Sequence, residues 1–182
     1  MTERDGFTVR RATIEDLDVV VELRLALLRE YSEHPVYGRL RPDAARRARP
    51  IFAMQLDSEN EVVLLAEENG EAVGLVRCIE TISSPLLEPD RYCYLSSVYV
   101  RPDQRRKGVL NALFERAVAW CRSRGISEMR LHNVGSREST AAAWDALGFE
   151  VVEQVRVRRL GADDRSRTAV TAARQESPEA RL

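Results

Sequence analysis

Lysine is nearly missing from this 182-residue chain: Lys107 stands alone among 28 basic residues. The skew toward arginine reflects base composition and assigns no function. A basic excess is missing too, since 29 carboxylates leave a net charge of -1. Nucleic-acid and membrane-surface binders ordinarily show such an excess, so neither partner is expected. Cysteine is scarce: Cys78, Cys93 and Cys121 are odd in number, widely spaced and form no C-x-x-C pair. That argues against zinc and dithiol motifs and suits reduced thiols in a cytoplasm. No run of 18 apolar residues occurs, and Met1 to Gly6 is polar, so a secreted or membrane-spanning chain is not expected. Only two histidines are present, His34 and His132, which leaves few positions for a base working near neutral pH.

What is present suits one domain. Hydrophobic residues make up 44% and charged residues 31%, and a chain of this length can bury about 70% of its unfolded surface. Phe7 to Ala12 alternates like a half-buried strand. Thr13 and Asp16 then approach a capping box, and Ile14, Leu17, Val21, Leu25 and Leu28 predict one apolar helix stripe to about Glu30. Tyr31 to Leu40, with Pro35 and Gly38, reads as a loop. Pro42 suits the first turn of a second helix, which Pro50 is expected to end or kink before Ile51 to Leu56. Strands are expected over Glu61 to Glu67, Glu71 to Ile82 and Tyr92 to Val100, the first two joined at Asn69-Gly70, a strong hairpin signal.

From Leu110 the periodicity turns helical, with Leu110, Leu113, Phe114, Ala117 and Cys121 on one face and Gly125 just past the end. Glu128 to Val134 follows as a short strand, Arg137 to Leu147 as a helix stopped by Gly148, and Phe149 to Leu160 as a last strand. The predicted order is βααβββαβαβ, an α/β fold built on a mixed sheet with helices on both faces. Residues 1–160 form the domain. Beyond them, Asp163 to Leu182 is charged and lacks aromatics, so 161–182 is expected to be a mobile tail.

One segment suggests chemistry. Val98-Tyr99-Val100-Arg101-Pro102-Asp103-Gln104-Arg105-Arg106-Lys107-Gly108-Val109-Leu110 is a strand, a proline-marked turn, a basic run with glycine, then a helix. A helix N-terminus offers unpaired N–H groups and partial positive charge, and glycine admits close approach of a phosphate. Neither G-x-x-x-x-G-K-[ST] nor G-x-G-x-x-G occurs here.

The same run resembles the acyl-CoA-binding motif of the GNAT superfamily of N-acetyltransferases, matched at Arg105, Arg106, Lys107, Gly108 and Val109. Leu110 departs from it, standing where the family prefers a small residue. Downstream, Leu131 to Thr140 followed by Trp144-Asp145-Ala146-Leu147-Gly148-Phe149 is similar to the family's strand, helix and Gly-Phe pattern. Arg137 stands there for the usual asparagine, and Trp144 for the tyrosine thought to protonate the leaving thiolate. Val9 to Leu17 also resembles the family's opening strand and helix.

The resemblance implies a fold in which the fourth and fifth strands splay apart, with acetyl-CoA as co-substrate. Val98, Tyr99 and Val100 would pair with pantetheine, Arg105 to Leu110 would hold the pyrophosphate, and Arg137 and Trp144 would complete the acyl-CoA site. The implied reaction is direct attack of a primary amine on the thioester in a ternary complex. The acceptor, a small molecule or peptide, is open, as is homodimer formation. A non-catalytic acyl-CoA sensor is the alternative, and Trp144 favours it slightly. Tyr31, His34 and Tyr37 lie where the family shapes its acceptor pocket.

His132 and Tyr94 are the candidate catalytic residues. Both positions resemble a tyrosine and histidine pair that orders a water in some GNAT protein N-terminal acetyltransferases. Tyr94 lies four residues before Val98, which in a regular strand places both on one face. His132 is expected across the splay from it.

Overall fold

The computed structural model describes residues 2–4, 6–134 and 138–159. The chain forms two compact units, residues 1–134 and 135–182. In the first, strands β1 (Thr2–Arg4), β2 (Phe7–Arg11), β3 (Glu61–Glu68), β4 (Glu71–Ile82), β5 (Arg91–Val100) and β6 (Met129–Leu131) make one sheet in that spatial order. Helices α1 (Leu17–Glu30), α2 (Ala44–Leu56) and α3 (Val109–Ser123) complete it. All pairings are antiparallel except β5 with β6, so the sheet is mixed as expected. Strand β1 is an addition to the predicted order.

Local chemistry accounts for most of these elements. Asn69 and Gly70 both take positive φ, 52° and 83°, the backbone of a tight hairpin turn. Helix α3 ends because Gly125 turns left-handed. Its amide then reaches the Arg122 carbonyl and that of Ile126 reaches Cys121, a Schellman closure that buries Ile126 and Cys121 together.

Two helix expectations need correction. The single α1 stripe divides: Val20, Leu23 and Leu27 pack on Leu65, Leu75 and Tyr99 of the sheet, while Val21 and Leu25 pack on Ala48 of α2. Ile14 lies in a 3-10 turn before α1 and is exposed. A helix covered on two sides needs a wider apolar arc than one stripe supplies. Helix α2 runs through Pro50, so of the two outcomes expected there, an end or a kink, the helix does not end. Proline removes one N–H, so the Arg46 carbonyl loses its helical donor, yet Ala48 and Leu56, buried on either side of Pro50, hold the two halves together.

The feature that positions everything else is a β-bulge in β5. Leu75 pairs with Tyr99 but Arg77 pairs with Ser96, so β5 carries one residue more than β4 across this step. Ser97 sits at the extra position with φ of 56° and is buried. A bulge shifts the side-chain alternation by one. Before it, Cys93 and Leu95 lie on the face of Cys78; after it, Tyr99 lies on the opposite face with Leu75. Tyr94, Ser96 and Tyr99 therefore share the α1 face, opposite Ile79, Arg77 and Leu75 respectively. The expectation that Tyr94 shares a face with Val98 is overturned by this extra residue.

On the other face, α3 approaches β4 at Gly74, where a Cβ would come within 2.9 Å of the Tyr99 carbonyl and within 3.3 Å of Val109 and Leu113 side chains. Cys78, Cys93 and Cys121 meet in this core. Contact with Cys121 works to lower the Cys93 pKa, but contact with Cys78 and burial push it up to about 12, so these thiols are packing groups.

In the second unit, α4 (Glu138–Ala146) ends in another Schellman closure, with Gly148 N–H on the Asp145 carbonyl and Phe149 N–H on that of Trp144, both at 3.0 Å. Trp144 and Phe149 meet edge to face, centroids 5.6 Å apart. The last predicted strand is a correction: residues 150–159 are exposed and form no ladder, and Val151, Val152 and Val155 face solvent. Alternating valines make a strand only where a partner edge accepts their hydrogen bonds. Leu160 and the predicted tail lie outside the described residues.

Two outcomes are expected. Ser97→Val places a β-branched residue at positive φ and should lower stability by about 1–2 kcal/mol in denaturant titration, whereas Ser97→Gly should cost little. Asp16 receives two bonds of 2.7 Å from Arg10, which hold its pKa down to about 2 against the opposing pull of burial. A depressed carboxylate contributes stability above its unfolded pKa, near ~4, and loses it as pH falls through its folded value. Arg10 is 37% exposed and screens part of this. Asp16→Asn should therefore cost about 1 kcal/mol at pH 6, with the two melting curves converging toward pH 2.

Candidate active site

Strands β5 and β6 pair over only three residues, Cys93 with Met129, Tyr94 with Arg130 and Leu95 with Leu131. β5 continues to Val100 beside no further strand among the described residues. The bulge begins where that pairing ends. Beyond it Ser96 to Val100 pair with no strand on the β6 side among the described residues, although the Val100 carbonyl accepts from Arg105 Nε, and this is the splay that the resemblance implies.

The open edge leads through a 3-10 turn, Pro102–Gln104, to the N-terminus of α3. Gly108 is the N-cap, with φ of 90°, and no side chain caps the helix. The first intrahelical bond is Ala112 N–H to the Gly108 carbonyl at 3.0 Å. The amides of Gly108, Val109, Leu110 and Asn111 thus have no carbonyl of their own helix, the usual surplus at an N-terminus. Arg106 turns left-handed just before them, φ 63°. Arg106, Lys107 and Gly108 are exposed, so two cations lie next in sequence to the surplus amides of the helix N-terminus.

The other predicted residues of this turn behave differently. Arg105 is engaged within the fold: its Nε donates to the Val100 carbonyl at 3.0 Å, it pairs with Glu30, and it lies over the Tyr99 ring. Lys107 Nζ donates to Gln104 Oε1 at 3.0 Å, while Gln104 Nε2 donates to Glu68. The buried α3 stripe is Val109, Leu113, Ala117 and Cys121, so Leu110 and Phe114, both half-buried, lie beside it. Arg137 lies outside the described residues. Trp144 is buried in the second unit, and its described ring contact is with Phe149.

Tyr94 and His132 come together. His132 is the first residue beyond β6, and its Nδ1 lies 2.9 Å from Tyr94 Oη, the rings edge to face at 5.4 Å. Burial, then the neighbouring Tyr37 and Tyr92, raise the Tyr94 pKa, so the phenol keeps its proton and can donate it to Nδ1. His132 itself is exposed. The Tyr31 to Leu40 connection contributes Tyr37, which stacks on His34 with centroids 4.8 Å apart, and Tyr31, which meets both rings. His34 is committed to this turn, since its Nδ1 accepts from the amides of Val36 and Tyr37 at 3.2 and 3.1 Å.

Arg24 and Arg77 were missed. Arg77 stands opposite Ser96, and its Nε donates to Glu61 at 2.6 Å. Arg24 is half-buried on α1 beside Arg77, Tyr31, Tyr37 and Tyr94. An arginine inside the run Val21-Glu22-Leu23-Arg24-Leu25-Ala26-Leu27 was a visible signal. Ser97 left none, because β5 alternates smoothly as written.

An open strand edge leading into a basic helix N-terminus suits a thioester carried on a phosphorylated tail, and the mixed sheet around it is that of an acyl-CoA-dependent acyltransferase. The model of the family described as "Acetyltransferase (GNAT) family" matches residues 24–149. The chain belongs to the GNAT family, for which acetyl-CoA is the co-substrate. It is 30% identical over 155 residues to an aminoglycoside N(6')-acetyltransferase type 1 of Stenotrophomonas maltophilia, covering 81% of this chain and 89% of that protein. It is 26% identical over 151 residues to an N-acetyltransferase of Methanocaldococcus jannaschii, covering 82% of this chain but 63% of that longer protein. In fold it is similar to an acetyltransferase of Clostridium acetobutylicum solved with acetyl-CoA, with TM-score 0.69, 19% identity, and 84% and 96% of the two chains covered. Among the described residues, no helix is long and apolar enough to cross a membrane.

The two arginines of the turn should separate in mutagenesis. Arg106→Glu should weaken acetyl-CoA binding, measured calorimetrically, by about tenfold at low salt and less at high salt, since exposed charges are screened. Arg105→Gln should instead lower the melting temperature.

Proposed function

We propose that this chain transfers the acetyl group of acetyl-CoA to a primary amine by direct attack in a ternary complex. The observation that carries the reading is the junction of the open β5 edge with the uncapped α3 N-terminus. Backbone groups of Val98, Tyr99 and Val100 offer pantetheine a strand to pair with. The amides of Gly108 to Asn111, with Arg106 and Lys107 beside them, hold the pyrophosphate. Arg105 acts by fixing the turn, its amide donating to the Pro102 carbonyl and its side chain to the Val100 carbonyl. Leu110, half-buried, leaves its backbone N–H available, so its bulk does not by itself close the site.

The protein then has one proton to manage. A lysine-like amine near pKa ~10.4 needs about 4.6 kcal/mol to become neutral at pH 7, so a path for that proton raises the rate. Tyr94 and His132 supply it. As the amine attacks, Tyr94 Oη accepts its proton, directly or through a water, while the phenol proton passes to His132 Nδ1. The exposed imidazole releases a proton to solvent. Trp144 has no titratable proton, so the thiolate takes its proton from water, from Tyr99 or from the ammonium formed by attack.

Tyr94→Phe and His132→Ala should each lower kcat/KM by about 100-fold near neutral pH, with the double variant no worse than either single one, because both groups carry the same proton. Rates recovering at high pH, where the amine is already neutral, would mark the loss as one of proton removal. Unchanged pH–rate profiles in both variants would remove the pair from the reaction.

A further inference from the structure

Arg24 has no hydrogen bond or ion pair among the described residues. The other arginines on or against this face are matched: Arg77 has Glu61, and Arg105 has Glu30 and the Val100 carbonyl. Arg24 is neither free in solvent nor neutralised. It projects from α1 one turn before Leu28, between Val20 and Val21 on one side and Leu27 and Tyr31 on the other, on the helix that covers the Tyr94, Ser96 and Tyr99 face of β5. The cation Arg77 and the tyrosines 31, 37 and 94 act on it electrostatically. Burial first, then the like charge of Arg77, pull the guanidinium below its ordinary pKa range.

A desolvated charge without a partner is destabilising unless something else supplies the opposite charge. Here the place for that partner is defined. Arg24 lies on the helix that covers the β5 face carrying Tyr94 and acts on that phenol electrostatically, and Tyr94 bonds to His132, so a ligand held by Arg24 against this face lies beside the proposed proton path. A planar guanidinium with its forked N–H groups unused matches one ligand chemistry best, a carboxylate held by two parallel bonds.

We infer that the acceptor is an amine that also carries a carboxylate, bound by Arg24 and oriented so that its amino group meets Tyr94. This deepens the acetyl-transfer reading and rests on it. It also separates this chain from its aminoglycoside-acetylating relatives, because a polycationic acceptor would meet Arg24 with like charge. Arg24 is then a specificity-determining residue.

The test uses the full chain, acetyl-CoA and release of free CoA as readout. The acceptors are L-amino acids and short ω-amino acids, each beside its carboxamide, together with spermidine and kanamycin. For at least one pair the acid should exceed its amide in kcat/KM by about 30-fold or more, the size of a charge-assisted pair. In Arg24→Gln that ratio should fall toward one, through KM of the acid, and Arg24→Lys should fall between. Arg24→Gln should melt no lower than the native chain, because it removes an unpaired charge. Acid and amide within threefold of each other for every pair, or preference for spermidine or kanamycin, would overturn the assignment. If no amine is acetylated although acetyl-CoA binds, the acetyl-transfer reading fails. Arg24 is then judged by binding of the same acids in the presence of CoA: a rise in melting temperature in the native chain but not in Arg24→Gln supports the carboxylate site, and no rise in either rejects it.

Discussion

One extra residue in β5 governs this molecule. Ser97 takes a left-handed backbone inside a strand, and two consequences follow from the same insertion. Pairing with β6 ends at Leu95, and among the described residues no strand pairs with the edge from Ser96 to Val100 on that side. The alternation also shifts, so that Tyr94 and Tyr99 face α1 on either side of the bulge while Cys93 and Leu95 face α3. A regular strand would have closed the sheet and sent Tyr94 and Tyr99 to opposite faces. The backbone strain at a non-glycine residue with positive φ, about 1–2 kcal/mol, is offset by the packing on both faces.

The arginines divide by what meets them. Arg10, Arg77 and Arg105 are tied to Asp16, Glu61 and Glu30, and their work is to fix β2 to the start of α1, β4 to β3, and the turn after β5 to α1. Arg106 and Lys107 remain at the surface beside the uncapped helix. Solvent screens such charges, and in the proposed reading they meet the pyrophosphate. Arg24 belongs to neither set: it is half-buried, with no acid paired to it among the described residues. Residue type alone places all of these in one class, and the difference lies wholly in their surroundings.

The departures from the family pattern look different once local structure is known. Phe149 and Gly148 close α4 through Schellman bonds, and Trp144 is the residue whose carbonyl and ring complete that closure. A large aromatic at that position thus has a packing role before any chemical one. In the proposed reaction the proton path runs instead through Tyr94 and His132, where burial favours the protonated phenol and the imidazole is exposed.

Wherever a signal is local, the sequence alone determined the outcome. Asn69-Gly70 specified its hairpin, Gly125 and Gly148 their helix ends, and the basic turn before Val109 its helix N-terminus, because backbone preference and capping act within a few residues. The pairing of His132 with Tyr94 was legible through resemblance, although the face that Tyr94 occupies was not. Tertiary structure decided what depends on a partner. Phe149 to Leu160 has the alternation of a strand, yet residues 150–159 find no edge to pair with. Ile14 carries the period of α1 and stays exposed, and Pro50 is tolerated because α2 is held on both sides of it. The bulge at Ser97 and the lack of a partner for Arg24 also belong here, since register and charge pairing are properties of two segments at once, and neither segment states them alone.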